Sequence, residues 1–389
     1  MRPRATLGVL FLVNVLNIYD RQVLGAILEP LRREFHLSDA QLGALPTIFT
    51  LIYAIAGWPL GRLADKWSRK RLLAIGVSVW TCLTALGGLA TSYAFLFVTR
   101  MGVGIGEAVC APAATSWIGE VVPAARRARS MAGFMMAVPV GVMLSFAISG
   151  PVAQSYGWRT ALAFAAAPAL VLVPALLLLP ESDVHVTDST ATLLRVPAFW
   201  WIAASGAIVN FVLYSFSTFI SAFLTRVHGL SVGRAGVWSG IGSGVAGVLG
   251  ALAAGALGDR ARGPGRLRFA AWVAAISAAP AAIAIGLDTT TSAIVLLMAA
   301  YGLLQMYYGL VYAAIQDVVP AGMRGSAMAA YYMVMYLCGG SFGPLVTGAL
   351  SDRFGLRNAM YIVPALSLVL AIVLTGARRA IPRERAARP

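Results

Sequence analysis

Charged residues are scarce in this sequence. Asp, Glu, Lys and Arg supply 12% of its 389 residues, whereas 59% are hydrophobic. Soluble domains carry about twice this share of charge, so the composition excludes an ordinary soluble fold. The formal net charge of +15 does not indicate nucleic-acid binding, because the basic residues form short runs between long apolar stretches. We expect a membrane protein with no nucleic-acid partner.

Residues that bind metals or form disulfides are also few. The three cysteines lie inside apolar stretches, which disfavours a disulfide framework. The three histidines lie in polar connectors without ligand-like spacing, so we expect no metal site. The sequence contains no phosphate-binding Gly-x-x-x-x-Gly-Lys motif and no recognisable nucleophile–base pair. These absences predict a protein that is not an enzyme and needs no cofactor.

Twelve apolar stretches predict an all-α membrane protein with twelve spans, because about 20 apolar residues cross a bilayer. They lie near 5–26, 40–60, 72–91, 94–120, 130–152, 160–179, 198–224, 235–257, 269–286, 292–316, 326–350 and 358–376. Alternate connectors hold 21 Lys and Arg on one side and 7 on the other, which predicts cytoplasmic termini. No cleavage site follows the first stretch, so we interpret it as a span. Few lysines among many alanines and arginines favour a bacterial plasma membrane.

The sequence repeats at about half its length, which is typical of duplicated transporter folds. The motifs Gly61–Lys66, Glu120–Pro123 and Tyr156–Arg159 recur as Gly255–Arg260, Asp317–Pro320 and Phe354–Arg357, at offsets of 194, 197 and 198 residues. We therefore predict an N-terminal six-helix bundle over 1–179, a cytoplasmic linker over 180–196 and a C-terminal six-helix bundle over 197–389. The two pseudo-symmetric bundles are expected to enclose a central cavity.

The connector between the second and third stretches joins a glycine, an acid and a basic cluster. Any cytoplasmic loop attracts basic residues, so the cluster alone does not indicate a function. The order of residues also suits specific contacts: Gly61 allows close helix approach, Asp65 can cap a helix, and Arg69 can reach a distant acid. Glu120 ends the fourth stretch on the same side and is the expected partner. We predict a cytoplasmic gate that comprises Gly61, Asp65, Arg69, Glu120, Arg127 and, in the second copy, Asp259.

Four ionisable residues lie within predicted spans: Asp20, Arg21, Arg100 and Glu107. Charges at membrane depth cost about 2.5 kcal/mol or more each, so they indicate either function or an ion pair that only holds helices together. A rise of about 1.5 Å per residue places Asp20 and Arg100 at similar depths, so they can pair. Glu107 lies deeper, where burial and a nearby arginine act in opposite senses on its protonation. We expect the acids to exchange protons and the arginines to neutralise them.

The second half has polar and aromatic residues where the first has charges. Gln305, Tyr308 and Tyr312 share one helical face. A charged wall opposite an aromatic wall suits an amphiphile, whose head group needs a cation. We predict that the substrate cavity is lined by Asn17, Tyr19, Asn210, Tyr214, Gln305, Tyr308, Tyr312, Tyr332, Met335 and Tyr336. Glycines and prolines in mid-span, Gly339 and Gly340 among them, either bend the helices or pack them closely.

The connector motif, its second copy, the twelve spans and the repeat resemble the major facilitator superfamily over nearly the whole chain. Two features depart from the pattern. Ser68 stands where many members have glycine, and Arg262-Gly263-Pro264-Gly265-Arg266 replaces the second basic triplet. The resemblance implies a secondary transporter that exposes a central cavity alternately to each side. Because of the second departure, we expect the contacts of the cytoplasmic gate chiefly in the first half.

The run from Arg100 to Ala108, with the first-span run from Asn14 to Arg21, resembles the Spinster branch of that superfamily. This resemblance implies a proton-linked carrier of lysophospholipid or sphingolipid-like solutes, with the four intramembrane charges at its charged positions. Symporters of sugar acids share similar first- and fourth-span motifs, so proton-coupled uptake of a small organic anion is the alternative. The expected partners are a small amphiphilic or anionic substrate and membrane lipid, and we expect a monomer.

Overall fold

The computed structural model describes residues 3–180, 197–261, 264–318 and 324–386. All regular structure in these ranges is helical. Twelve of the described helical segments are long and apolar enough to cross a membrane, which confirms the predicted fold class. They are numbered spans 1 to 12 in chain order.

The helices are α1 (Pro3–Phe35), α2 (Asp39–Lys66), α3 (Arg69–Gly87), α4 (Tyr93–Glu107), α5 (Cys110–Val121), α6 (Ala124–Met135), α7 (Ala137–Tyr156), α8 (Trp158–Ala166), α9 (Ala169–Leu177), α10 (Pro197–His228), α11 (Val232–Arg260), α12 (Pro264–Gly286), α13 (Thr290–Val318), α14 (Arg324–Val334), a π-helix (Met335–Gly340), α15 (Phe342–Phe354), α16 (Leu356–Ala359) and α17 (Ile362–Ala386). Spans 4, 5 and 6 are formed by α4–α5, α6–α7 and α8–α9. Span 11 is formed by α14, the π-helix and α15, and span 12 by α16 and α17; the other spans are single helices.

Short polar caps set several helix starts. Ser38 and Gln41 form a capping box at α2, in which the Ser38 hydroxyl accepts from the Gln41 amide while the Gln41 side chain accepts from the Ser38 amide. The hydroxyls of Ser68 and Ser92 cap α3 and α4 by accepting from the backbone amides of Arg71 and Phe95. These caps satisfy amide groups that the first turn of a helix leaves without partners.

Two helix ends differ from the predicted spans. Spans 1 and 7 continue to Phe35 and His228, so Arg32, Arg33 and Arg226, which fall in connectors of the hydropathy pattern, lie on helices. The hydropathy pattern marks only the hydrocarbon core, whereas the helices extend beyond it. The fourth span, predicted as one helix, is interrupted at Ala108 and Val109 between α4 and α5.

The chain divides into two compact units. One contains Met1–Thr187 with Thr218–Gly244, and the other contains Asp188–Ser217 with Val245–Pro389. In the first unit, span 1 packs against span 5, and span 4 packs against spans 2 and 3. In the second, span 9 packs against spans 10 and 12. Residues 181–196 of the predicted linker lie outside the described residues, and the division at 179 and 197 stays a prediction.

Each unit contains its own copy of one repeated contact. Arg159 Nη2 donates to the carbonyl oxygen of Ala90 at 2.8 Å, and Arg357 Nη2 donates to that of Leu287 at 3.4 Å. The glycine two residues before each arginine, Gly157 or Gly355, has a φ of +85° or +80°, which L side chains rarely adopt. The two halves therefore share local geometry as well as sequence at this motif.

Candidate functional site

Asp20 and Arg100 form a buried ion pair between spans 1 and 4. Arg100 Nη1 lies 3.3 Å from Asp20 Oδ1, and both residues are at most 2% exposed. Thr84 of span 3 joins the pair: its hydroxyl donates to Asp20 Oδ2 at 2.5 Å and accepts from Arg100 Nη2 at 3.1 Å. This hydroxyl satisfies both charged groups at a depth where unpaired charge is costly.

Arg21 and Glu107 form a second buried pair. Arg21 Nε donates to Glu107 Oε2 at 2.9 Å, and Asn17 Nδ2 donates to the same oxygen at 3.0 Å. The guanidinium also lies 4.0 Å from the centre of the Tyr53 ring and 5.6 Å from that of Phe49, both on span 2. Glu107 is fully buried, and its second oxygen, Oε1, has no hydrogen-bond partner among the described residues.

A glycine allows these side chains to meet. A Cβ on Gly104 of span 4 would lie 2.7 Å from the carbonyl oxygen of Phe49, so spans 2 and 4 approach backbone to backbone there. This brings the rings of span 2 beneath Arg21. The resulting charge cluster, consisting of Asp20, Arg21, Arg100 and Glu107 with Asn17 and Thr84, has two acids and two arginines and is electrically balanced.

Tyr19, predicted to line the cavity, forms hydrogen bonds with span 5 in this unit. Its hydroxyl shares a 2.8 Å hydrogen bond with Ser149 Oγ of span 5, and its carbonyl accepts from Ser145 Oγ at 2.8 Å. Gly141 belongs to the same helix contact, since a Cβ there would lie 2.7 Å from the Ile18 side chain. Tyr19 therefore joins spans 1 and 5, whereas Asn17 belongs to the charge cluster.

The predicted gate residues are only partly described. Arg69 Nη1 forms an ion pair with Glu120 Oε1, the partner expected from the sequence. The interpretation of Gly61 is wrong, because the nearest atom to a Cβ there, on Pro112, would lie 3.9 Å away and close approach does not require glycine. The side chains of Asp65, Arg127 and Asp259 lie outside the described part of the chain.

The second unit contains an ion pair at the position equivalent to Arg69 and Glu120. Arg266 Nη1 lies 2.7 Å from Asp317 Oδ2, and Arg266 Nε donates to the carbonyl of Gly258 at 3.1 Å. Both residues are offset by 197 from their counterparts in the first unit. We expected the cytoplasmic gate contact chiefly in the first half, and that expectation missed this pair. One arginine is enough to form the ion pair without the basic triplet.

Five of the predicted second-half tyrosines form one cluster of ring contacts. Its ring centroids lie 5.7 Å apart for Tyr308 and Tyr312, 5.7 Å for Tyr312 and Tyr332, 6.4 Å for Tyr332 and Tyr336, and 6.2 Å for Tyr336 and Tyr214. All five side chains are partly exposed within their unit. We call these residues the tyrosine cluster.

The remaining predicted residues of this half make local contacts. Gln305 Nε2 donates to the hydroxyl of Tyr301 at 3.1 Å, and Asn210 Nδ2 donates to the carbonyl of Gly206 at 3.2 Å. Met335 is buried and begins the π-helix. A Cβ on Gly339, in that π-helix, would overlap the carbonyl oxygen of Ala207, so this mid-span glycine packs closely against span 7, and bending stays a prediction.

Several polar residues of the site are absent from the sequence prediction. Tyr331 is fully buried, and its hydroxyl lies 3.1 Å from that of Tyr307. Arg226 binds Glu29 through Nε and both oxygens of Asp39 through Nη1, at 2.8 and 2.7 Å. Hydropathy assigned Arg226 to a connector, so no intramembrane signal marked it. No group of three His, Cys, Asp or Glu side chains in the described ranges could hold a metal.

Comparison of the sequence with known proteins identifies a matching family. The model of the Major Facilitator Superfamily matches residues 10–340. An "MFS-type efflux pump" of Mycolicibacterium smegmatis (strain ATCC 700084 / mc(2)155) is 35% identical, over 95% of this chain and 91% of that protein. "Protein spinster homolog 1" of Xenopus tropicalis is 27% identical, over 94% of this chain and 76% of that protein.

A solved structure agrees with these relatives. The crystal structure of a bacterial homolog to the human lysosomal transporter Spinster, in an inward-facing and occupied conformation, has a TM-score of 0.88 and 25% identity. The match covers 97% of each chain. The resemblance to the Spinster branch is thereby confirmed, and the matching family is one of membrane transporters. The chain belongs to the major facilitator superfamily.

Proposed function

We propose that this protein is a proton-coupled secondary transporter that moves an amphiphilic, lipid-like solute across the bacterial plasma membrane by alternating access. The observation that supports this most directly is the charge cluster, in which two acids and two arginines lie buried among spans 1, 3 and 4. Buried ionisable groups within a membrane are costly and mark ion or substrate pathways. The similarity to Spinster proteins supports a lipid-like solute, and the positive-inside bias supports cytoplasmic termini.

Glu107 is the proposed proton carrier. Its Oε2 accepts two hydrogen bonds, while Oε1 has none among the described residues and can take a proton without displacing a donor. Protonation removes the negative charge that Arg21 balances. Arg21, still stacked on Tyr53, is then available to a phosphate or carboxylate of the substrate. Deprotonation restores the ion pair and favours release of the anion.

Both carboxylate oxygens of Asp20 accept hydrogen bonds, whereas one oxygen of Glu107 accepts none from the described residues. Asp20 is bound by Arg100 and by the short hydrogen bond from Thr84. We propose that Asp20 keeps Arg100 in position and exchanges its proton after Glu107. The tyrosine cluster supplies the apolar and aromatic surface for the rest of an amphiphile. Arg69 with Glu120, and Arg266 with Asp317, are the proposed cytoplasmic gate contacts, one in each unit.

Transport by purified protein in liposomes tests this proposal. Imposed pH gradients of either direction should drive a fluorescent lysophospholipid, and Glu107→Gln should reduce gradient-driven flux at least tenfold while exchange of internal for external substrate persists. Glu34→Gln is the matched control, because it makes the same change at the exposed end of span 1, where Glu34 pairs with Arg159 outside the charge cluster. This control should transport like the parent.

Two results would contradict the proposal in different ways. Gradient-driven lysophospholipid flux that survives in Glu107→Gln would exclude this residue as the proton carrier. Flux of a sugar acid such as galactonate, with none of lysophospholipid, would favour the alternative of a proton-coupled symporter for a small organic anion. That alternative shares the first- and fourth-span motifs and uses Arg21 for the substrate carboxylate.

A further inference from the structure

A cavity of about 360 Å³ lies between the last turn of span 5 and the first turns of span 8, within the first unit. It is lined by Pro151, Gln154, Ser155, Ser231, Gly233, Arg234, Val237 and Trp238. By alternation of the spans, it lies at the side of the membrane opposite the Arg69–Glu120 pair. The charge cluster and the tyrosine cluster contribute no residue to it.

The polar groups of this cavity are mainly hydrogen-bond donors. Arg234 is exposed, and no acidic side chain pairs with it among the described residues. The amide oxygen of Gln154 accepts from the backbone N–H of Gly233 at 2.7 Å, which leaves its NH₂ group as the part able to bind a ligand. Ser155 and Ser231 add hydroxyls, and no Asp or Glu lines the cavity. A guanidinium beside amide and hydroxyl donors is the donor set that binds phosphate.

The other wall is apolar and suited to the membrane interface. Trp238 lies one helical turn after Arg234, on the same face, and is 46% exposed. Pro151 and Val237 complete the apolar part of the lining. Tryptophan is enriched where hydrocarbon meets head groups, so a cation one turn away lies at the depth of a lipid phosphate. The wall and the donors together match a phospholipid better than a free anion.

Close helix packing fixes the cavity. A Cβ on Gly236 would lie 2.7 Å from the carbonyl oxygen of Phe146, and one on Gly240 would lie 2.6 Å from that of Met143. Spans 5 and 8 therefore contact each other backbone to backbone beside the cavity. A site between two helices in such contact is preorganised, and binding orders few side chains.

We propose that this cavity binds the head group of an anionic membrane phospholipid. The phosphate lies against Arg234 and the Gln154 amide, and the glycerol and first acyl carbons lie against Trp238. The bound lipid belongs to the surrounding membrane, so the site is independent of which solute is transported. Basic groups at a membrane surface contribute about 1 kcal/mol each to binding anionic lipid, which corresponds to about fivefold in affinity.

Native mass spectrometry of the full-length protein with added phosphatidylglycerol or phosphatidylcholine tests this site. The parent should retain phosphatidylglycerol preferentially, and Arg234→Gln should weaken that retention about fivefold while leaving phosphatidylcholine unchanged. Arg353→Gln is the matched control, because Arg353 is an exposed arginine at the end of α15, on the same side by alternation and outside the cavity. The control should behave like the parent.

Three outcomes would overturn the proposal. Equal loss in Arg234→Gln and Arg353→Gln would indicate general surface charge. Equal retention of both lipids by the parent would exclude an anion-selective site. Displacement of phosphatidylglycerol by millimolar glycerol 1-phosphate would show that the site binds a soluble phosphate compound instead of a lipid. Because Arg234 is exposed, Arg234→Gln is expected to fold like the parent.

Discussion

Consecutive residues of an α-helix point about 100° apart, and this geometry separates the partners of Asp20 and Arg21. Asp20 reaches Arg100, whereas Arg21 reaches Glu107, seven residues further along span 4. Two turns rise about 10.5 Å, so the two pairs form distinct contacts on one face of that span. The proposed proton exchange requires that one pair can break while the other stays formed.

We expect Asp20→Asn to lower the free energy of unfolding by about 3–5 kcal/mol, because it leaves Arg100 buried without a counter-charge. Arg100→Gln should cost a similar amount, since it leaves Asp20 with only the Thr84 hydroxyl. The double variant should cost less than the sum, because neither charge remains uncompensated. Reversible unfolding of the four proteins in detergent micelles measures the coupling. Strictly additive costs would show that the two side chains do not interact.

The four intramembrane charges are predictable from the sequence, because charge within an apolar stretch is rare and costly. Thr84 is not predictable in this way. Hydroxyl residues are common in membrane helices, and nothing in the sequence distinguishes Thr84 from Thr81, which makes no equivalent contact with the charges. The role of Thr84 depends on the rotation of span 3, which only the tertiary contacts fix.

At the scale of the helices, two glycines of span 4 differ in how closely other atoms pack against them. A Cβ on Gly104 would lie 2.7 Å from a span 2 carbonyl, whereas a Cβ on Gly119 would meet no atom within 4 Å. The sequence alone predicted close approach at Gly61, where the structure has room for a side chain. Which glycine is packed depends on the partner helix, so local sequence cannot decide it.

We expect Gly104→Ala to lower the free energy of unfolding by about 1–3 kcal/mol, because the added methyl group forces spans 2 and 4 apart. Gly119→Ala is the matched control. It should leave stability unchanged or raise it by up to about 1 kcal/mol, since alanine favours the helix. Thermal unfolding in detergent compares the two variants. Equal effects would mean that helix propensity, and not the contact with Phe49, determines stability at these positions.

At the scale of the whole molecule, the two halves share contacts at the ends of their helices and differ in the residues at the middle of their spans. The contacts of Arg69 with Glu120 and of Arg266 with Asp317 occupy equivalent positions in the two units. The charge cluster has no such equivalent, since aromatic residues occupy the corresponding spans of the second half. The repeated framework was predictable from motifs, because helix-end contacts depend on short local sequences. For the tyrosine cluster, the sequence predicts only which residues share a helix face. It does not predict the ring contacts between spans, because these depend on how the helices pack.

The ion pairs of Arg226 cannot be recognised from the linear sequence. It lies 197 residues after Glu29 and 187 after Asp39, yet one guanidinium binds both acids within the first unit. All three side chains are largely buried. Thr218–Gly244, which contains Arg226, belongs to this unit, and this contact holds that segment against spans 1 and 2.

We expect Arg226→Gln to lower the free energy of unfolding by about 3–5 kcal/mol, because it removes the cation that two buried carboxylates share. Arg32→Gln is the matched control. Arg32 Nε lies 3.6 Å from the same Asp39, but its side chain is 45% exposed, so its loss should cost about 0–1 kcal/mol. Adding Glu29→Gln to Arg226→Gln should restore part of the stability by removing one unpaired charge. If both arginine variants unfold alike, burial does not determine the strength of these pairs, and Arg226 is an ordinary surface contact.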